Sequence, residues 1–558
     1  MLRPILPDPD SLSLSQLVAQ MIVVRTTGHL FDHEIQYPAW EATQAQMEHY
    51  ITDLGVGGVI LLGGSGAEVA LRCQALQAMA DIPLLLAADI EEGVGQRFSG
   101  AIWFPPPMAL GEIARTDLDL AQTYARQFGQ HTAKEAMAIG LNWVLAPVVD
   151  VNNNPANPVI NVRAFGETPE IVTQLTQAFI AGAQEYPVLT TAKHFPGHGD
   201  TSIDSHLSLP VIDHGLDRLD RVELAPFKGV ISPKGAISPK GAISPGASKP
   251  VDSVMTAHIR LSALDKTHPA TLSKPILTGL LRQELGFEGL IVTDALVMGA
   301  ITETYGAYEA AVLAVAAGAD VVLMPADVEG CIQAICEAVR VGRLDEGQIR
   351  SSVERIWRAK HKVSGPLGAG PSCHNWEPAE PVTQVQQLAQ RSTSTLARSV
   401  LRASGRQGSA RFRPKGPGQN VILVDDVLGC RHLPRTAPAI TQPLGWGYGL
   451  TLLDSRSSQL PKTGLPTLMQ LFIRGNPFRS GQNLVQLARD YVEMITATGD
   501  LQAMIVYGSP YVLEQLSLPD SLPWVFSYGQ MPMAQSWALE TLVGEVAAAG
   551  AVDKSFTD

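Results

Sequence analysis

Cysteine is scarce in this chain of 558 residues, and the five present are spread as Cys73, Cys331, Cys336, Cys373 and Cys430. An odd, scattered set with no paired CxxC spacing excludes a disulfide framework and a zinc knuckle, and fits a reducing compartment. Basic charge is lacking as well. The net charge of -13 argues against a phosphate-backbone partner, since nucleic-acid binders present a basic patch or stripe, so no nucleic acid is expected. Long apolar runs are missing too. No segment holds some twenty uninterrupted apolar residues, and "MLRPILPDPDSLSLSQLVAQMIVV" puts prolines and acidic residues where a signal peptide carries a basic start and an apolar core. The expectation is a cytoplasmic protein with no membrane association and no obligate protein partner, acting on a small molecule.

What the chain does contain is a regular alternation. Short β-branched runs recur between residues 20 and 325, separated by stretches of helical period: "QMIVV" (20–24), "GGVILL" (57–62), "PLLLAADI" (83–90), "NWVLAP" (142–147), "VLTTAKH" (188–194), "SVMTAHI" (253–259), "GLIVTDA" (289–295) and "ADVVLM" (319–324). Eight such runs predict an α/β fold, a (β/α)8 TIM-like barrel, with a doubly wound open sheet as the alternative topology. Polar residues fall at or near the ends of these runs, at Asp89, Lys193, His194, His258 and Asp294, where a barrel gathers its active site. The expected organisation is a catalytic barrel over residues 1–365, a linker at 366–380 rich in Gly and Pro, and a smaller α/β domain over 381–558. A repeat of ISPKGA inside residues 229–250 offers little to bury and reads as a surface insertion.

The densest chemistry lies in "TAKHFPGHGDTSIDSHLSLP", residues 191–210, which holds His194, His198 and His206 beside Lys193, Asp200 and Asp204. Asp204 and His206 are two apart, so in an extended loop both side chains project to one side. The carboxylate then orients the imidazole and favours its protonated form, giving a general acid/base near neutral pH. Gly197 and Gly199 suggest a loop that moves. Asp294 ends an apolar strand and has two readings, a helix N-cap or a nucleophile. A retaining glycosidase needs a carboxylate on one face of the sugar and a proton donor on the other.

"KHFPGHGDTSIDSH", together with the strand-end "TD", resembles glycoside hydrolase family 3, in its bacterial β-N-acetylglucosaminidase branch that trims cell-wall muropeptides. The resemblance covers most of residues 10–365. It implies Asp294 as nucleophile, Asp204 and His206 as the acid/base pair, and Asp89, Arg163, Lys193 and His194 as sugar contacts. His258 also matches a family segment, with a packed strand-end histidine as its alternative. It implies a GlcNAc-containing carbohydrate as substrate, and neither a cofactor nor a metal. "DIEEGVGQRF" departs from the family's usual "DQEGGRVQRF" by placing Val94 where an arginine stands, and Ala295 replaces a common second aspartate. Four other uses of the same residues stay open: zinc or iron bound by His194, His198, Asp200, Asp204 and His206, a non-catalytic sugar-binding barrel, a β-glucosidase, and a phosphorylase that exploits the neutrality of a spent histidine toward phosphate.

Overall fold

A computed structural model describes residues 6–201, 209–233, 249–363, 382–457, 464–474 and 482–544, with residues 382–392 and 482–483 described in backbone only. Asp204, His206, the linker at 366–380 and most of the 229–250 repeat lie outside the described residues. The chain gathers into two compact units. One comprises Met1–Trp103, Gln122–Asn154 and Glu167–Thr393, and the other Phe104–Ala121, Pro155–Gly166 and Ser394–Asp558.

All eight apolar runs form strands of one parallel sheet in the first unit. They are β1 (Ile22–Thr27), β2 (Gly58–Leu62), β3 (Leu85–Ala88), β4 (Trp143–Val144), β5 (Leu189–Phe195), β6 (Ser253–Thr256), β7 (Leu290–Val292) and β8 (Val322–Leu323). Each pairs with its neighbours in chain order, and β1 also pairs with β8 through Ile22–Val322 and Val23–Leu323. The bridge Val292–Val321 joins the remaining neighbours, so the sheet closes on itself. An unreversed strand order with its ends paired is a barrel and excludes the doubly wound alternative, whose order reverses at a switch point. Helices cover the outside of the sheet, which is why the strands read as continuous apolar runs rather than as alternating ones. Inside, Trp143 is buried and its Nε1 donates to Thr191 Oγ1 at 2.8 Å and to Ser253 Oγ at 3.2 Å, linking β4, β5 and β6.

The two ends of the barrel sequence are stitched together. Trp357 Nε1 donates to Pro7 O at 2.8 Å, Arg350 Nη1 meets Asp10 Oδ1 at 2.7 Å, and Lys360 Nζ donates to Gln20 Oε1 at 2.6 Å. Lys360, Trp357 and Arg350 all lie on the helix Glu346–Val363, which closes the ring of helices.

The second unit is built on a six-stranded sheet containing β9 (Arg406–Gln407), β10 (Gly418–Val424), β11 (Tyr448–Leu453), β12 (Thr467–Ile473), β13 (Leu501–Gly508) and β14 (Trp524–Ser527). The order is β9-β14-β13-β12-β10-β11, parallel except for the antiparallel edge strand β9. A smaller α/β domain is therefore present, as the sequence predicts.

One buried group yields a stability prediction. Burial pushes the Glu135 carboxyl up to about 7, although Thr393 Oγ1 donates to its Oε1 at 2.9 Å. With the folded value raised above the unfolded one, the folded state favours the protonated form. Stability therefore declines as pH rises from about 4.5 to about 7 and is level above that. Glu135→Gln keeps an acceptor for Thr393 and removes the buried charge. It is expected to stabilise the protein by up to roughly 2–3 kcal/mol above pH 7, with the gain vanishing at acid pH. Thermal melts of both proteins across that range check it, and equal melting at every pH would remove Glu135 as the cause.

Candidate active site

The end of β3 and the end of β5 meet through charge. Asp89 follows β3 directly, and its carboxylate is 37% exposed, whereas Lys193 on β5 is only 2% exposed. Lys193 Nζ stands 2.8 Å from Asp89 Oδ1 and 2.6 Å from Oε1 of the buried Glu91. A buried ammonium needs such partners, because an unpaired charge away from water is costly. Arg97 Nε donates to Asp89 O at 2.8 Å. Desolvation pushes the Asp89 carboxyl up, but Lys193 and Arg97 outweigh it, and the group is held below the ordinary carboxylate range. Asp89 thus stays an anion with exposed oxygen surface, suited to accepting hydrogen bonds from vicinal hydroxyls.

His194, the next residue on β5, is fixed by a carboxylate that sequence reasoning passed over. Asp150 lies beyond β4 and is fully buried. His194 Nδ1 stands 2.8 Å from Asp150 Oδ2, and His194 N is 3.1–3.2 Å from the two oxygens. His198 N donates to Asp150 Oδ1 at 2.7 Å. An ionised carboxylate only accepts, so Nδ1 of His194 carries the proton in this contact. Burial raises the Asp150 carboxyl, while the hydrogen bond from His194 and the charges of His194 and His198 lower it further than burial lifts it. Asp150 ends an apolar run, "VLAPVVD", as Asp89 ends another, so the same signal marks both. Farther along, Gly197 sits at φ +128°, and a Cβ on Gly199 would lie 1.7 Å from Val151 O. Gly197 thus meets a turn geometry and Gly199 a close approach to the segment after Asp150.

Asp150→Asn keeps the shape but leaves an amide NH2 facing donors. It is expected to lower kcat/KM at least about tenfold and to depress the melting temperature by several degrees. Steady-state kinetics and a thermal melt check this, and wild-type values in both would show the cluster to be dispensable.

Asp294 lies two residues beyond β7, partly exposed. Its N donates to Thr256 Oγ1 at the end of β6 at 3.3 Å, and its Oδ1 accepts from Ala295 N at 2.7 Å. The following helix, Gly299–Tyr305, has Met298 as its N-cap, so the capping reading of Asp294 fails. His258 is fully buried, with Nδ1 2.8 Å from Thr271 Oγ1 and Nε2 3.0 Å from Ala295 O. With both ring nitrogens within hydrogen-bond reach of protein atoms, it fits the packed strand-end alternative. Arg163 ends the short 3-10 turn Asn161–Arg163 in the second unit, where its Nη1 donates to Val159 O at 2.9 Å.

Two groups of side chains have metal-ligand spacing among the described residues, each with its ligand atoms within 4.8 Å of one another. In the first, His29 Nε2 accepts from Gly64 N at 3.0 Å, which places the proton on Nδ1, the nitrogen that faces Glu34 and Glu68. A protonated nitrogen cannot ligate. In the second, Arg218 already bridges Glu223 at 2.7 Å and Asp200 at 3.3 Å, supplying the cation itself. His194 and His198 direct Nδ1 to Asp150 and to Thr201 Oγ1, the latter at 2.8 Å.

Residues 13–359, more than half of the chain, match the Glycosyl hydrolase family 3 N terminal domain. The chain belongs to glycosyl hydrolase family 3. Residues 412–544 match the Bacterial Glycosyl hydrolase family 3 C-terminal domain, so both units carry family 3 sequence. Among solved structures, a family 3 β-N-acetylglucosaminidase from Paenibacillus sp. str. FPU-7 shares 29% identity at a TM-score of 0.75, covering 97% of this chain and 98% of that one. A "Beta-hexosaminidase A" of Pseudoalteromonas piscicida is 35% identical over 348 residues, 57% of this chain. The match spans only 55% of that relative's length. A "Beta-hexosaminidase" of Nitrosomonas eutropha is 31% identical over 343 residues, covering 58% of this chain and 92% of the relative.

Proposed function

We propose that the protein is a retaining exo-β-N-acetylglucosaminidase that removes terminal GlcNAc from cell-wall-derived muropeptides or related glycosides. The observation that carries this reading is the position of Asp294, a partly exposed carboxylate at a barrel strand end that caps no helix. It shares the C-terminal rim with the Asp89–Lys193 pair. The sequence similarity to β-hexosaminidases supports the choice of sugar.

In this reading Asp294 attacks the anomeric carbon and forms the glycosyl-enzyme ester. As the aglycone oxygen leaves, it takes a proton from His206, which Asp204 orients. The now neutral His206 then removes a proton from water, whose oxygen displaces Asp294 with net retention. Asp89 accepts from sugar hydroxyls remote from the scissile bond, Lys193 holds it ionised, and His194 adds a contact to the same sugar. Placement in the cytoplasm rests on free thiols at Cys73, Cys331, Cys336 and Cys430. Among the described residues no helix is long and apolar enough to cross a membrane.

Parallel assays with chromogenic β-N-acetylglucosaminide and β-glucoside, each with and without phosphate, test the reading. The acetamido sugar should be turned over faster, to free GlcNAc in both buffers. A preference for the glucoside would overturn the choice of sugar, and a sugar 1-phosphate product would make the enzyme a phosphorylase.

A further inference from the structure

We propose that the C-terminal unit carries a second small-molecule site, a recess that binds phosphate-bearing ligands. Between Gly405 and Val424 the sequence holds Arg406, Arg411, Arg413 and Lys415 and no carboxylate, in a chain with 54 acidic and 41 basic residues. Arg406 is neutralised by Glu112, with Nη2 to Oε2 at 2.8 Å and Nε to Oε1 at 3.0 Å. The other three form no ion pair among the described residues, and all three line one cavity of about 430 Å³. Carboxylates are in surplus over the molecule as a whole, so three unmatched cations around one recess are a local excess that folding alone does not require.

The local sequence explains the convergence. Phe412 is buried, its N donates to Leu542 O at 3.0 Å, and its ring packs 6.1 Å from both Trp446 and Tyr448. Burial alternates along Arg411, Phe412 and Arg413, so anchoring the ring turns the two guanidinium groups to the opposite side. The facing wall supplies neutral polar groups, Thr496, Gln502 and Ser521, and no carboxylate lines the cavity. Asp500, beside this wall, is already engaged by Gly464 N at 2.8 Å and Thr498 Oγ1 at 2.6 Å. Thr496 Oγ1 is buried and has no hydrogen-bond partner among the described residues. A buried hydroxyl without a partner is the group a bound acceptor would satisfy.

Chemistry selects the ligand. Two planar guanidinium forks, an ammonium and a hydroxyl offer more donors than one carboxylate can accept, and they match the several oxygens of a phosphate dianion. The volume suits a small molecule. A nucleic acid is the poorer occupant, because a net charge of -13 repels a polyanion at long range.

Calorimetric titration of the full chain with pyrophosphate, glucose 6-phosphate, citrate and glucose tests the proposal. The two phosphate compounds should bind one per chain with a Kd below about 1 mM at low salt and more weakly as salt rises. Citrate and glucose should bind far less well. The exposed double variant Arg411→Ala/Arg413→Ala should weaken phosphate binding roughly tenfold or more, while melting temperature and glycoside turnover stay at wild-type values. Thr496→Val should weaken it less. Silence of both phosphate compounds at about 10 mM would overturn the site, given the affinity that such charge-assisted bonds supply. Equal binding of citrate would overturn the phosphate preference, and undiminished binding by the double variant would overturn the location. None of these outcomes depends on the glycosidase reading, since binding is measured without turnover.

Discussion

Asp294→Ala is expected to abolish turnover of every glycoside, activated or not, with kcat falling by roughly 10⁴ or more. The reason is chemical rather than steric. The two-displacement route needs an oxygen nucleophile that stays bonded to the sugar while the aglycone departs, and water cannot take that role without inverting the product. Substrate affinity should change much less if, as proposed, the sugar hydroxyls are held around the Asp89–Lys193 pair. Steady-state kinetics on an aryl β-N-acetylglucosaminide separates the two effects. Azide, small enough to enter the space left by the side chain, should restore turnover of the aryl substrate and yield the glycosyl azide of opposite anomeric configuration. Substantial activity in the alanine variant without azide would remove Asp294 from the reaction.

His206→Ala should produce a loss whose size depends on the leaving group. An aryl glycoside releases a phenolate that departs with little protonic help, so its rate should fall modestly. An alkyl or sugar aglycone leaves as a poor alkoxide unless protonated, and there the loss should reach roughly 10²–10⁴-fold, the usual contribution of a positioned proton donor. Asp204→Ala should follow the same pattern more mildly, since the imidazole remains but loses its orientation and part of its basicity. Rates for a series of aglycones of graded pKa give the comparison directly. A flat response across the series would take proton donation away from His206.

A parallel α/β sheet was legible in the sequence because strands covered on both faces read as apolar runs such as "GGVILL", while closure into a barrel rather than an open sheet came only with the pairing of β1 and β8. Strand lengths were not legible. "NWVLAP" contributes only Trp143–Val144, because ladder pairing continues only while neighbouring strands run alongside. In the second unit, "NVILV" within β10, "AMIVY" within β13 and "WVF" within β14 read as apolar runs, whereas β11 and β12 are less plain. On β11 the exposed residues 449, 450 and 452 break the pattern of a covered strand. On β12 the polar Gln470 interrupts the run, yet it is buried, donating to Asn420 Oδ1 and Ala439 O at 2.8 Å each. The candidate site was readable where a polar residue terminates an apolar run, as at Asp89, Lys193 and Asp294. Asp150 carried the same local mark, at the end of "VLAPVVD", but its role is set by His194, 44 positions away. Glu91 has no such mark, being defined by Lys193, 102 positions away. His258 shows the reverse case, where a conspicuous residue at a strand end turns out to be committed to Thr271 and Ala295.

The stitching of Pro7, Asp10 and Gln20 to the helix Glu346–Val363 has a consequence for how the protein comes into being. On the ribosome, β1 emerges with one edge facing a partner, β8, that lies about 300 residues downstream. At 5–20 residues per second the wait is roughly 15–60 seconds, far longer than a chain needs to collapse. Throughout that interval the open edge of β1 and the apolar surface meant for the closing helix stay available to other strands and other chains. The nascent barrel is therefore most in need of a chaperone before residue 360 is made, and a chain truncated ahead of Trp357 should be lost to aggregation or proteolysis even though every residue of the proposed active site is present.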